Sequence, residues 1–89
     1  MDHYFLTARS VTYAQQMTRL LERSGIFVKV RRVTPDMGLR GCGYTLEVGQ
    51  QRFKDALDVL RRGGKPPIRI FYDAGDGLRE LRDIPGGGR

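Results

Sequence analysis

Hydrophobic and polar positions sort most of the chain into six patterned segments. In 3-HYFLTA-8, aromatic and aliphatic residues alternate and stop at Arg9-Ser10, the mark of a short strand running into a helix cap. Behind Ser10, the residues Val11, Ala14, Met17, Leu20 and Leu21 recur at helical spacing, and Gly25 follows Ser24, so the spacing predicts a helix over 11–24. In 26–33, Ile26, Val28 and Val30 alternate with Phe27, Lys29 and Arg31, the period of a half-buried strand that Thr34-Pro35-Asp36 ends. Tyr44, Leu46 and Val48 share one face of a third strand, opposite Thr45 and Glu47. Phe53, Ala56, Leu57 and Leu60 fall at i, i+3, i+4 and i+7, a second helix that Gly63-Gly64 stops. After Lys65-Pro66-Pro67, Ile68, Ile70 and Tyr72 lie on one face of a fourth strand.

The order β-α-β-β-α-β is the split βαβ, ferredoxin-like pattern of an α+β domain. Right-handed crossovers then require a four-stranded antiparallel sheet of order 4-1-3-2 with both helices on one face. One such domain is expected over 1–75. The remainder, 76–89, reads as a tail in which Leu78, Leu81 and Ile84 are spaced for a short docking helix, followed by a flexible Pro85-Gly86-Gly87-Gly88-Arg89 end.

Eighty-nine residues are enough for one modest core. No apolar run is long enough to span a bilayer, and Met1-Asp2-His3-Tyr4 does not open like a signal peptide, so no membrane partner and a cytoplasmic location are expected. With a single cysteine, Cys42, no internal disulfide can form. Cys42 and His3 alone do not make a soft-ligand set, so neither a metal nor another cofactor is expected. Sixteen Lys and Arg against ten Asp and Glu give a net charge of +6, which biases the surface toward anionic partners, although the cations are dispersed along the chain.

The chemistry of interest lies in 39-LRGCGYTLEV-48. The strand order sets the loop before the third strand at the same end of the sheet as the start of the first helix. Positions 42, 44, 46 and 48 alternate together, so strand geometry reaching back to 42 would turn Cys42 toward the helices. There it would meet the unpaired N–H groups of Ser10, Val11 and Thr12 and the positive end of the helix dipole, a setting that lowers a thiol's pKa and favours the reactive thiolate. Arg9 and Arg40 add positive potential to that rim, and Gly41 and Gly43 leave the sulfur uncrowded. The alternative reading of Cys42 is a small buried hydrophobe with no chemistry.

These residues resemble a family of short βαββαβ proteins described as selenium/sulfur carrier protein-like. The likeness covers roughly residues 3 to 72. It rests on YFLTARS entering a helix, LLERSGIFVKV at its end, the VTP that follows, and Cys42-Gly43 heading the strand YTLEV. The loop DMGLRGCG departs from the serine-rich approach expected of that family, and the segment after Asp73 extends past its usual end. The resemblance implies that Cys42 holds sulfur or selenium as a persulfide or selenopersulfide, received from a desulfurase-type donor and passed to an acceptor protein.

A rival reading uses the other face of the sheet. RNA-recognition motifs share this fold and carry a basic-Gly-aromatic-Gly-aromatic signature on the third strand. Here 40-RGCGYTLEV-48 begins similarly, but Cys42 replaces the first stacking aromatic and Glu47 faces the would-be nucleic acid. Alternation nevertheless assigns Phe5, Phe27, Phe71, Lys29, Arg31 and Arg69 to the open face. Such a surface suits single-stranded nucleic acid or, more commonly, a second copy of the chain or the segment 76–84 as cover. Other catalysis has little support: His3 has no triad partner at readable spacing, and Asp55 and Asp58 alternate with basic residues on a solvated helix face.

Overall fold

The computed structural model describes residues 3–33, 43–73, 75 and 77–81. The described elements are β1 (His3–Ala8), α1 (Val11–Arg23), β2 (Lys29–Arg32), β3 (Tyr44–Gly49), a single 3-10 turn at Gln50–Arg52, α2 (Phe53–Arg62), β4 (Ile70–Asp73) and β5 (Leu78–Glu80). The protein is thus α+β, with one antiparallel sheet of five described strands in the order β2-β3-β1-β4-β5. The expected sheet of four strands is corrected to five.

The fifth strand replaces the docking helix expected after residue 76. Gly75 and Gly77 both adopt positive φ, 112° and 121°, which side-chain-bearing residues rarely do, and the Asp73 carboxylate accepts the Gly75 N–H at 2.7 Å. The chain therefore reverses, and Leu78, Arg79 and Glu80 pair with Asp73, Tyr72 and Phe71. Leu81 still donates its N–H to the Ile70 carbonyl and packs on the core. Ile84 and the glycine-rich end lie outside the described residues.

Both helices stop in the same way. At the end of α1, Gly25 is left-handed (φ 77°), its N–H reaches the Glu22 carbonyl, and the Ile26 N–H reaches Leu21. At the end of α2, Gly64 is left-handed (φ 74°), its N–H reaches Arg61, and the Lys65 N–H reaches Leu60. These paired bonds form the Schellman motif, which satisfies carbonyls the helix leaves open. In α1 the motif takes up Ile26, so β2 begins at Lys29 and not at 26. Ile26 is nevertheless buried, beside Leu21.

The core is one layer between the helices and one face of the sheet. Leu6 and Ala8 from β1, Leu46 and Val48 from β3 and Ile70 from β4 meet Ala14, Met17 and Leu21 of α1 and Phe53, Ala56, Leu57 and Leu60 of α2. The Tyr4 ring stacks on Phe53 with centroids 3.7 Å apart. Complete burial of a Leu or Met side chain is worth about 1.5–3 kcal/mol, so the wholly buried Leu6, Met17, Leu21, Leu46 and Leu60 hold the two layers together. Val30 shares the side of its partner Leu46, yet remains 43% exposed because β2 is the edge strand.

On the opposite face, Thr7 and Thr45 lie side by side on β1 and β3, and both are fully buried. The Thr7 hydroxyl donates to the Arg69 carbonyl (3.1 Å) and accepts the Arg69 N–H (2.7 Å), tying β4 to β1 beyond the last ladder pair. The Thr45 hydroxyl has no hydrogen-bond partner among the described residues. Near-isosteric replacement separates the two roles. Thr7→Val removes the hydroxyl that accepts the Arg69 N–H and donates to the Arg69 carbonyl and should lower stability by about 1–3 kcal/mol, whereas Thr45→Val removes a hydroxyl with no partner among the described residues and should leave stability unchanged or raised. Urea denaturation of the two variants measures the difference.

Candidate functional site

The rim expected to hold the reactive thiol is built where β1 hands over to α1. Ser10 caps the helix: its backbone is extended (φ −136°, ψ 163°), its Oγ accepts the Tyr13 N–H at 3.2 Å, and its carbonyl accepts the Ala14 N–H at 3.0 Å. The N–H groups of Val11 and Thr12 have no intrahelical partner by construction, and both residues are exposed. The first turn of α1 contains no acidic residue to offset the positive end of its dipole. Arg9, immediately before the cap, is exposed and makes no ion pair with any described residue.

Gly43 meets this rim directly. Its N–H donates to the Ala8 carbonyl at 3.0 Å and its carbonyl accepts the Val33 N–H at 2.9 Å. The bond to Val33 carries the β2–β3 ladder one step past the β3 start, while the bond to Ala8, already opposite Tyr44, sets two residues of the returning chain against one of β1. A Cβ built at Gly43 would stand 2.6 Å from the Arg9 carbonyl oxygen, closer than side chains tolerate. The sequence reading gave Gly43 the task of leaving a sulfur uncrowded. The structure gives it a more demanding one, the close packing of β3 against the backbone that opens α1. Of the predicted site residues, Ser10, Arg9 and Gly43 are brought together, while Arg40, Gly41 and Cys42 lie outside the described residues.

The face expected to be open departs from its sequence reading. Pairing does put Phe5 and Phe71 side by side on the face away from the helices, within a row that runs Lys29, Glu47, Phe5, Phe71, Glu80 across all five strands. Phe71, however, is buried, and Phe5 is half-buried. Arg69 donates from Nε and a terminal nitrogen to both Glu80 carboxylate oxygens, at 3.0 and 2.8 Å, and its guanidinium lies 4.8 Å from the Phe71 ring centre. Arg69 is therefore engaged with an acid and a ring. Phe27 is 78% exposed but precedes β2 and belongs to no strand. Only Lys29 and Arg31 stay as expected, exposed and without an ion pair among the described residues.

Sequence reasoning missed the contact of His3 with Glu47, whose carboxylate oxygen lies 2.9 Å from Nδ1. It is an ion pair only when the imidazole is protonated. The two residues face each other diagonally across β1 and β3, and only the strand register reveals it. Among the described residues no cluster of three or more potential ligands could hold a metal, and no helix is long and apolar enough to cross a membrane. A shallow hollow lined by Leu20, Arg23, Ser24, Val59, Arg62 and Gly63 lies at the far end of α1 from Gly43, with the Arg62 guanidinium already paired to Asp58. No family model, curated protein or solved structure matches the chain.

The tight approach of Gly43 has a measurable consequence. Gly43→Ala forces the strand end away from the Arg9 carbonyl and should cost about 1–3 kcal/mol. Gly49→Ala, at the other end of β3 with nothing within 4 Å of the added carbon, should be neutral or slightly stabilising. Thermal melts of the two variants compare them within one strand.

Proposed function

We propose that the chain is a ferredoxin-like carrier of sulfur or selenium, with Cys42 as its carrier thiol. Support for the fold name comes from the neighbour order β2-β3-β1-β4, with α1 between β1 and β2 in sequence and α2 between β3 and β4. A single observation supports the function most: Gly43, the residue after Cys42, is hydrogen-bonded to Ala8 and packed on Arg9. Gly43, which follows Cys42 in the chain, thus meets the backbone of Ala8 and Arg9, and Arg9 directly precedes the Ser10 cap and the positive end of α1. Those are conditions under which a thiol ionises readily.

The chemistry asked of the protein is small. The Cys42 thiolate attacks the terminal sulfur of a donor persulfide, a new S–S bond forms at Cys42, the donor's S–S bond breaks, and the donor leaves as its thiolate. Nothing is consumed beyond the donor persulfide. Transfer to an acceptor thiolate repeats the step in reverse roles. The absence of a second cysteine in the chain means that no internal thiol can attack the carried sulfur and expel it.

Mass spectrometry after incubation with a cysteine desulfurase and free cysteine tests this reading. Wild type should gain the mass of one sulfur atom, removable by reductant, and Cys42→Ser should gain none. An unmodified wild type, or a gain that persists in the serine variant, contradicts it.

A further inference from the structure

Among the described residues, β2 leaves one side of the sheet open. It is the terminal strand in the described order, all four of its residues are exposed, and no described strand pairs with its outer edge. Its ladder with β3 fixes which backbone groups are free. The Val33 N–H bonds to the Gly43 carbonyl, so in the common antiparallel register the odd residues, Lys29 and Arg31, turn their backbone groups toward β3. The even residues, Val30 and Arg32, turn theirs outward. Val30 and Arg32 thus carry N–H and C=O groups that no described residue takes up, groups an incoming chain could use.

Three of the four β2 side chains are cationic, and none makes an ion pair with a described residue. Glu47, the acid directly across from Lys29, stands against His3 instead. Phe27 at 78% and Val30 at 43% are two of the four large exposed hydrophobics in the described chain, and both belong to this one short stretch. A second copy is a poor occupant, because pairing β2 with β2 would set cation against cation in a chain already at +6. Cations on an edge strand also guard against unwanted pairing. That guard accounts for the charges but not for an exposed phenylalanine beside them.

We propose that the outer edge of β2 is a docking site for an extended, acidic segment of a partner protein, added to the sheet as a further strand. Alternation sets the pattern the segment should carry. Carboxylates oppose Lys29 and Arg31 on one face, and on the other an apolar residue opposes Val30 and a third carboxylate opposes Arg32, with Phe27 available to a flanking apolar side chain. The charges that keep two copies apart select a strand of opposite sign.

A fluorescein-labelled peptide with glutamates opposite Lys29, Arg31 and Arg32 and valine opposite Val30 is the probe, with its glutamine counterpart and a single-stranded polyuridine as comparisons. Anisotropy should show binding of the glutamate peptide that weakens with salt, and no binding of the other two. The Lys29→Glu/Arg31→Glu/Arg32→Glu variant should lose affinity by about tenfold or more. Val30→Pro removes an outward N–H that the β2–β3 ladder does not use, so it should abolish binding while circular dichroism remains that of wild type. Hydrogen exchange of wild type gives a readout independent of either variant: the Val30 and Arg32 amides should become protected in the complex. Absence of binding overturns the proposal, as does preference for polyuridine, or binding without protection of those two amides.

Discussion

The pairing of β1 with β3 is the interaction on which the rest of the structure depends. It runs without interruption from His3–Gly49 to Ala8–Tyr44, and the Gly43 N–H also reaches the Ala8 carbonyl. Because side chains alternate along a strand, that register sends Tyr4, Leu6 and Ala8 and their partners Val48, Leu46 and Tyr44 to the helices together. A slip of one residue would move this whole set to the wrong face. The same register brings the chain after residue 42 against Arg9, where only glycine fits.

Much of this was legible in the sequence because each signal was local. The 3.6-residue spacing of Ala14, Met17 and Leu21 and of Phe53, Ala56, Leu57 and Leu60 identified the faces that are buried. Ser10 and the glycines at 25 and 64 marked helix ends that the structure realises through hydrogen bonds. The fifth strand was missed because Leu78 and Leu81, three apart, suit a helix turn as well as a strand with a residue beyond it. The distinguishing signal was the pair of glycines at 75 and 77, whose positive φ reverses the chain. The register sets Phe5, Phe71, Lys29 and Arg31 on one face, as alternation assigned them, whereas Phe27 lies outside every described strand. The expected exposure of that face was misjudged at Phe71, because the Arg69–Glu80 pair beside it exists only once β5 is in place. At the candidate site, alternation and topology led to Ser10, Arg9 and Gly43, while Cys42, Gly41 and Arg40 fall outside the described residues and their part rests on chemistry and resemblance.

Charge is arranged differently on the two sides of the sheet. Toward β4 and β5, Arg69 meets Glu80 over an aromatic ring, a neutral and largely closed surface. Toward β2, Lys29, Arg31 and Arg32 stand exposed with Phe27 close by in the chain, and the net charge of +6 finds little local compensation. At the sheet centre Phe71 is buried, Phe5 is half-buried and the acidic Glu47 stands beside Phe5. The partner contacts proposed for this chain lie at the two margins, the β2 edge and the rim where β3 meets α1.

Central to the proposed function is an acidic Cys42 thiol. The pH dependence of Cys42 alkylation by iodoacetamide tests it most directly. The expected midpoint lies clearly below the value of about 8.5 found for a free cysteine, and it should move upward in a Gly43→Ala variant that remains folded. A midpoint at or above about 8.5 in the wild-type protein, or a thiol that does not react at all until the protein is unfolded, would contradict the account.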